Sequence, residues 1–182
     1  MVTRKITAEL IRAAADYPVA TILGPRQSGK TTLARMAFPD KTYLSLEDPD
    51  VRMAAAADPR GFLGQVPDGA ILDEVQRLPA LLSYIQGIVD DSKRQGLFIL
   101  TGSHQPQLEQ GVSQSLAGRT GVLRLLPLSI SELTAAGFHL ERDQYIHQGF
   151  MPRLFSTGLE AKDLYRDYFS TYVEKDVRLM LN

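Results

Sequence analysis

The chain contains no cysteine, which excludes disulfides and thiolate metal sites. It has three histidines, His104, His139 and His147. His139 and His147 lack partners at ligand spacing and His104 reads as an exposed loop residue, so no structural metal is expected. Charge of one sign is not in excess: Lys and Arg total 20, Asp and Glu 21. No overall basic field recruits nucleic acid or an anionic membrane, and no basic–aromatic cluster supports DNA binding. No apolar run approaches the ~20 residues of a membrane helix. The opening stretch MVTRKITAELIR interrupts every apolar run with a charge, so it has no signal-peptide core. Internal repeats and low-complexity linkers are lacking too. A soluble, cytoplasmic protein with no membrane contact is expected.

What is present suits one domain with a sizeable core: 182 residues, 44% hydrophobic and 23% charged. Short apolar runs alternate with helical patterns, the mark of an α/β fold with a parallel sheet covered by helices. Thr7–Asp16 predicts a helix with Thr7 as N-cap. Strands are expected at Val19–Leu23, Thr42–Leu46, Ala70–Asp73, Leu97–Leu100 and Val122–Leu126, the last two closed by Thr101-Gly102 and Pro127. Helices are expected over Lys30–Met36, Asp50–Ala57, the PALLSYIQGIVDDS stretch with Pro79 in its first turn, and Ser129–Ala136, ended by Gly137. Glu160–Leu181 predicts a long amphipathic helix. Its stripe is Leu164, Tyr165, Tyr168, Phe169, Tyr172, Val173 and Val177.

The stretch ILGPRQSGKTTL matches G-x-x-x-x-G-K-[ST] between an apolar strand and a helix. The loop Gly24, Pro25, Arg26, Gln27, Ser28, Gly29, Lys30, Thr31 and Thr32 is expected to wrap phosphates in backbone N–H groups. Its glycines allow close approach and positive φ, and the helix N-terminus faces the anion. Lys30 would reach the β- and γ-phosphates, and Thr31 would offer its hydroxyl to Mg²⁺. The side chains of Arg26 and Gln27 are expected to face outward. For Arg26, a solvent or structural ion pair stands beside a partner or phosphate contact.

GAILDEVQRLP brings Asp73 to the end of an apolar strand, where a carboxylate holds Mg²⁺ through water. Glu74 beside it is more informative. A kinase does not need a second carboxylate there, whereas a hydrolase needs a base for the attacking water. In FILTGSHQ, Thr101 or Ser103 is placed to sense the γ-phosphate if this strand lies between those carrying the loop and Asp73. A cap of the next helix by Ser103, with Thr101 satisfying turn backbone, is the plainer alternative. Arg119, in a glycine-rich turn, is either a finger toward transition-state charge, in cis or in trans, or the partner of a surface carboxylate. Arg124 is expected to snorkel.

The segments GPRQSGKTTL, YLSLEDPDVRMAAAADPRGFL, ILDEVQRLPALLSYIQGIVD, FILTGSHQPQL, SLAGRTGVLRLLPLSISEL and YFSTYVEKDVR, in this order, resemble the prokaryotic AAA+-like ATPases that carry a C-terminal domain of unknown function. DEVQRLP and LAGR…LPLSISEL are the most specific. The resemblance implies a three-layer P-loop NTPase with a five-stranded parallel sheet of order 5-1-4-3-2, ATP with Mg²⁺, and Glu74 as hydrolytic base. ATP is preferred to GTP on this ground alone, there being no N-K-x-D motif. Family members continue past YFSTYVEKDVR, where this chain stops. A core over 1–158 is therefore expected, with a helix over 159–182 leading toward a further domain and offering a surface for self-association or another protein. Whether the chain is a fragment or a natural short form is left open. Three functions are weighed: an ATP hydrolase used as a conformational switch; a non-hydrolysing ATP-dependent docking module, with or without DNA; and a small-molecule kinase, which would need an arginine-rich lid that is not seen.

Overall fold

The computed structural model describes residues 2–103 and 106–173. Five strands form one sheet: β1 (Val19–Gly24), β2 (Thr42–Ser45), β3 (Ala70–Asp73), β4 (Phe98–Ser103) and β5 (Thr120–Arg124). Their order is β2-β3-β4-β1-β5, the expected 5-1-4-3-2 counted from the other edge, and every neighbouring pair is parallel. Every residue of β1, β3 and β4 is buried, so these strands read as continuous apolar runs. The edge strands β2 and β5 are only partly covered.

The connections carry α1 (Thr7–Asp16), α2 (Lys30–Ala37), α3 (Pro49–Ala57), α4 (Pro59–Gly64), α5 (Leu81–Ser92) and α6 (Pro106–Ser115). The pleat sends successive strand residues to opposite faces. Ala20, Ile22, Ile71, Ile99 and Leu123 pack with Leu10 and Ala14 of α1 and Leu33 and Ala34 of α2. Val19, Leu23, Leu72, Phe98 and Leu100 face the other way, onto Phe62 and Leu63 of α4, Leu82, Ile85 and Val89 of α5, and Leu108 and Val112 of α6. Each such Val, Leu, Ile or Phe side chain, when fully buried, contributes about 1.5–3 kcal/mol. The three-layer α/β fold is thereby established.

Several boundaries differ from expectation. Thr7 is the first helical residue and not the cap; Ile6 holds that position, and the Thr7 hydroxyl donates to Arg4 O at 2.7 Å. Pro79 precedes α5, because a short 3₁₀ turn over Val75–Arg77 intervenes. Thr101 and Gly102 do not close β4 but belong to it, since the ladder with β1 runs on to the Gly24–Ser103 pair. β5 starts two residues early because Thr120 pairs with Val19; Leu126 lies beyond it, 67% exposed. The sequence reading omitted α4, although Asp58-Pro59 announces it: the Asp58 carboxylate accepts from the Gly61 N–H at 2.9 Å, with Pro59 in the first turn. Asp48-Pro49 starts α3 in the same way.

Two compact units are present, Arg4–Leu126 and Met1–Thr3 with Pro127–Asn182. The second holds α7 (Ile130–Ala135), α8 (Arg142–Gln148), a 3₁₀ turn over Pro152–Phe155 and α9 (Ala161–Tyr168). Ser129 and Glu132 form a capping box at α7. Leu128, Leu133 and Tyr145 make one small core; Met151, Leu154 and Leu164 make another. The helix expected from Glu160 begins at Ala161 and turns π-helical over Phe169–Val173. Leu164 is buried, Tyr165 and Tyr168 are half-buried, and Phe169 is exposed. The side chains of Tyr172 and Val173, and all of Val177, lie outside the described residues. Among the described residues no helix is long and apolar enough to cross a membrane.

Candidate functional site

Parallel strands deliver all their C-terminal ends to one edge, and β1, β3 and β4 are neighbours in the order β3-β4-β1. β1 ends in the glycine-rich loop, β3 in Asp73 and β4 in Ser103. β4 therefore lies between the loop strand and the Asp73 strand, as expected. Gly29 stands at φ 93°, and Gln27 is left-handed at φ 62°. Such alternation turns backbone N–H groups into a concave anion cradle. Gly24 is required for a different reason. A Cβ there would fall 2.1 Å from Leu125 O.

Lys30 opens α2 and is 5% exposed. Its ammonium donates to Gly24 O at 3.0 Å and Pro25 O at 2.9 Å. Burial lowers its pKa; the charges of Glu74 and Asp73 act against this, and that of Arg26 adds to it. Ser28 is fully buried and its Oγ makes no hydrogen bond. Arg26 is half-buried, while Gln27 and Thr32 are exposed.

Asp73, 6% exposed, is held by three hydroxyls. Thr31 Oγ1 donates to Asp73 Oδ1 at 2.8 Å, the Thr101 hydroxyl donates to the same oxygen, and Tyr43 Oη donates to Oδ2 at 2.9 Å. Burial and the Asp73 charge raise the Tyr43 pKa. Glu74 follows in the left-handed conformation, φ 57° and ψ 46°. Its N–H points at Thr101 Oγ1 at 3.4 Å. Thr101, which the sequence offered as a sensor or turn residue, thus sits on the carboxylate. Ser103 Oγ is buried and makes no hydrogen bond, so it caps no helix among the described residues. Tyr43 and Gln76 were missed. Gln76 follows Glu74 by two residues and hydrogen-bonds its carboxylate; Tyr43 arrives only because β2 pairs with β3.

Arg119 is not brought to this edge. Its carbonyl accepts from Val19 N–H at the start of β1, so it lies at the opposite end of the sheet. There it pairs with Asp90, Nε–Oδ1 2.5 Å and Nη2–Oδ2 2.8 Å. Arg124 is exposed in β5, and His139 and His147 are exposed. His104 lies outside the described residues. No cluster of three or more His, Cys, Asp and Glu side chains suited to a metal occurs among the described residues.

The edge fits a nucleotide and a hard cation. Thr31 and Asp73 offer oxygen donors only, which suits Mg²⁺. The two buried serine hydroxyls without hydrogen-bond partners, Ser28 in the loop and Ser103 at the end of β4, suit phosphate oxygens.

A family model described as AAA domain matches residues 16–134. Uncharacterized proteins of Mycobacterium bovis and Mycobacterium tuberculosis are each 32% identical over 178 residues, 96% of this chain and 39% of theirs. The chain thus spans 39% of the length of these curated relatives. Among solved structures, a Walker-type ATPase of Pyrococcus abyssi superposes with a TM-score of 0.65 at 14% identity, covering 99% of this chain and 75% of that one. A DNA replication initiation factor superposes at 0.54 with 18% identity, covering 94% and 62%. At these identities the likeness is one of fold.

Proposed function

The chain belongs to the AAA-domain family, and from that premise we propose that it binds ATP with Mg²⁺ and hydrolyses it, turnover serving as a conformational switch. One observation carries this reading: Thr31 of the loop and Asp73 of β3 meet at 2.8 Å, with Lys30 buried behind them and Glu74 next in the chain. Thr31 and Asp73 would hold the cation, which supplies positive charge to the phosphate oxygens. Lys30 adds its own charge at the β- and γ-phosphates, and Gly24 to Thr32 wrap them in N–H donors. Ser103 donates its hydroxyl toward the terminal phosphate. Glu74 orients the attacking water and accepts its proton. The water oxygen bonds to the terminal phosphorus, the bond to the bridging oxygen breaks, and that electron pair leaves with ADP. The proton then passes from Glu74 to solvent.

Arg119 serves a neighbouring subunit on this reading. β1 runs six residues from Val19, beside Arg119, to Gly24, a distance of about 17 Å. A guanidinium at that end does not reach its own loop, but head-to-tail association would present it to the next one. The test is Glu74→Gln. It should bind Mg·ATP with wild-type affinity and hydrolyse it about 10²–10⁴ times more slowly. Turnover at the wild-type rate would remove Glu74 from the mechanism.

A further inference from the structure

Glu74 reaches its carboxylate out on three rotatable bonds. A base left free on such a stem samples geometries that do not meet a water in line with a phosphorus. Gln76 removes that freedom. Its Nε2 donates to Glu74 Oε2, and its Oε1 accepts from the Ser103 N–H at 3.3 Å. The two partners determine which way the amide faces. A carboxylate only accepts and a backbone N–H only donates, so only this orientation satisfies both. The backbone cooperates. Glu74 takes the left-handed conformation, which is costly for a residue other than glycine, and the 3₁₀ turn that follows brings Gln76 back to the Ser103 N–H at the end of β4. Val75, 1% exposed, anchors the turn in the core.

Gly102 leaves the room that this amide and Leu108 share. It has no positive φ. It lies under Gln76, and a Cβ there would come within 2.9 Å of Gln76 Oε1 and 2.3 Å of Leu108 Cδ2. The strand is bare at the point where the carboxamide crosses it.

We propose that Gln76 is a positioning residue for Glu74, a carboxamide bridge that aims the base and ties it to the tip of β4. The bridge has a consequence for substrate sensing. Ser103 carries on its backbone the N–H that Gln76 holds and on its side chain a buried hydroxyl with no hydrogen bond. A terminal phosphate engaging that hydroxyl shifts the residue to which Glu74 is tethered, so occupancy and alignment of the base become one event. The inference rests on the reading of Glu74 as a hydrolytic base.

Two substitutions test it. Gln76→Met keeps length and volume and removes both hydrogen bonds. Gln76→Glu keeps an acceptor for Ser103 N–H but sets a second carboxylate against Glu74; it decides the matter if the first variant folds poorly. Both should lower kcat at least about tenfold, with the Kd for Mg·ADP within about twofold of wild type. In a Glu74→Gln background, Gln76→Met should lower kcat no further. Wild-type kcat in both Gln76 variants, or losses that multiply with that of Glu74→Gln, would overturn the bridge while leaving the base in place. If the wild type hydrolyses no faster than Glu74→Gln, the base assignment itself fails, and the bridge with it.

Discussion

The two ends of the sheet each carry an arrangement centred on an aspartate, at matching distances and with unlike weight. At the C-terminal end Thr31 reaches Asp73 at 2.8 Å. At the N-terminal end Arg119 reaches Asp90, also at 2.8 Å. Asp73 is 6% exposed, whereas the side chains of Arg119 and Asp90 are 33% and 44% exposed. Water already solvates the outer pair, so its attraction is screened and its net contribution small. At the centre of the inner cluster, Asp73 and Thr101 are shielded from water. Each donor and acceptor there depends on another side chain, and removing one strands its partner. Hydrogen-bond length alone therefore does not separate a buried, interdependent cluster from an exposed, screened pair; burial and shared partners do.

The sharpest break of this contrast is at Lys30. Lys30→Met should reduce affinity for Mg·ATP about 10- to 100-fold by calorimetry, with the fold intact by circular dichroism. Unchanged affinity would place the phosphates elsewhere. The direction of its pKa adds a pH signature. Burial lowers it from 10.5, so the wild type should lose affinity as pH rises, beginning before that ordinary lysine value is reached.

Next in size is Thr101→Val, which keeps the shape and removes the hydroxyl shared by Asp73 and Glu74 N–H. It should cost about 1–3 kcal/mol in denaturant unfolding. A smaller loss would mean that the inner cluster is no more interdependent than the outer pair. Arg119→Ala should have the least effect on the fold, leaving the melting temperature within about 2 °C. Its electrostatic trace should still be visible. The hydrogen bond from Arg119 holds the Asp90 carboxyl below its usual 3.8, and in Arg119→Ala the titration of Asp90, followed by NMR, should return toward that value.

Much of the strand content was legible because buried parallel strands have a plain signature. VATILG, the AIL that leads into Asp73, and FILTGS are apolar or small throughout, so neither face needs a polar period. α4 was legible in principle through Asp58-Pro59 but is too short for its apolar face to show a helical period. The loop residues Gly24 to Thr32 were legible as a motif, and Asp73-Glu74 as an acidic pair at a strand end. Tyr43 was not. It lies thirty residues from Asp73, and only the pairing of β2 with β3 brings its hydroxyl to the carboxylate. Gln76 was in view two residues from Glu74, yet its role depends on a left-handed turn that spacing does not announce.

By itself, then, the sequence determined what is local: the apolar strands, the capped helices, the glycine-rich loop, and the chemical types of Lys30, Thr31, Asp73 and Glu74. Periodicity, steric freedom and side-chain chemistry act over a few residues and are written in neighbouring letters. Tertiary structure alone decided which hydroxyls hold Asp73, that Gln76 spans from Glu74 to β4, and that Arg119 stands at the far end of the sheet. Those facts follow from strand order and register, which set distances between residues the chain keeps far apart.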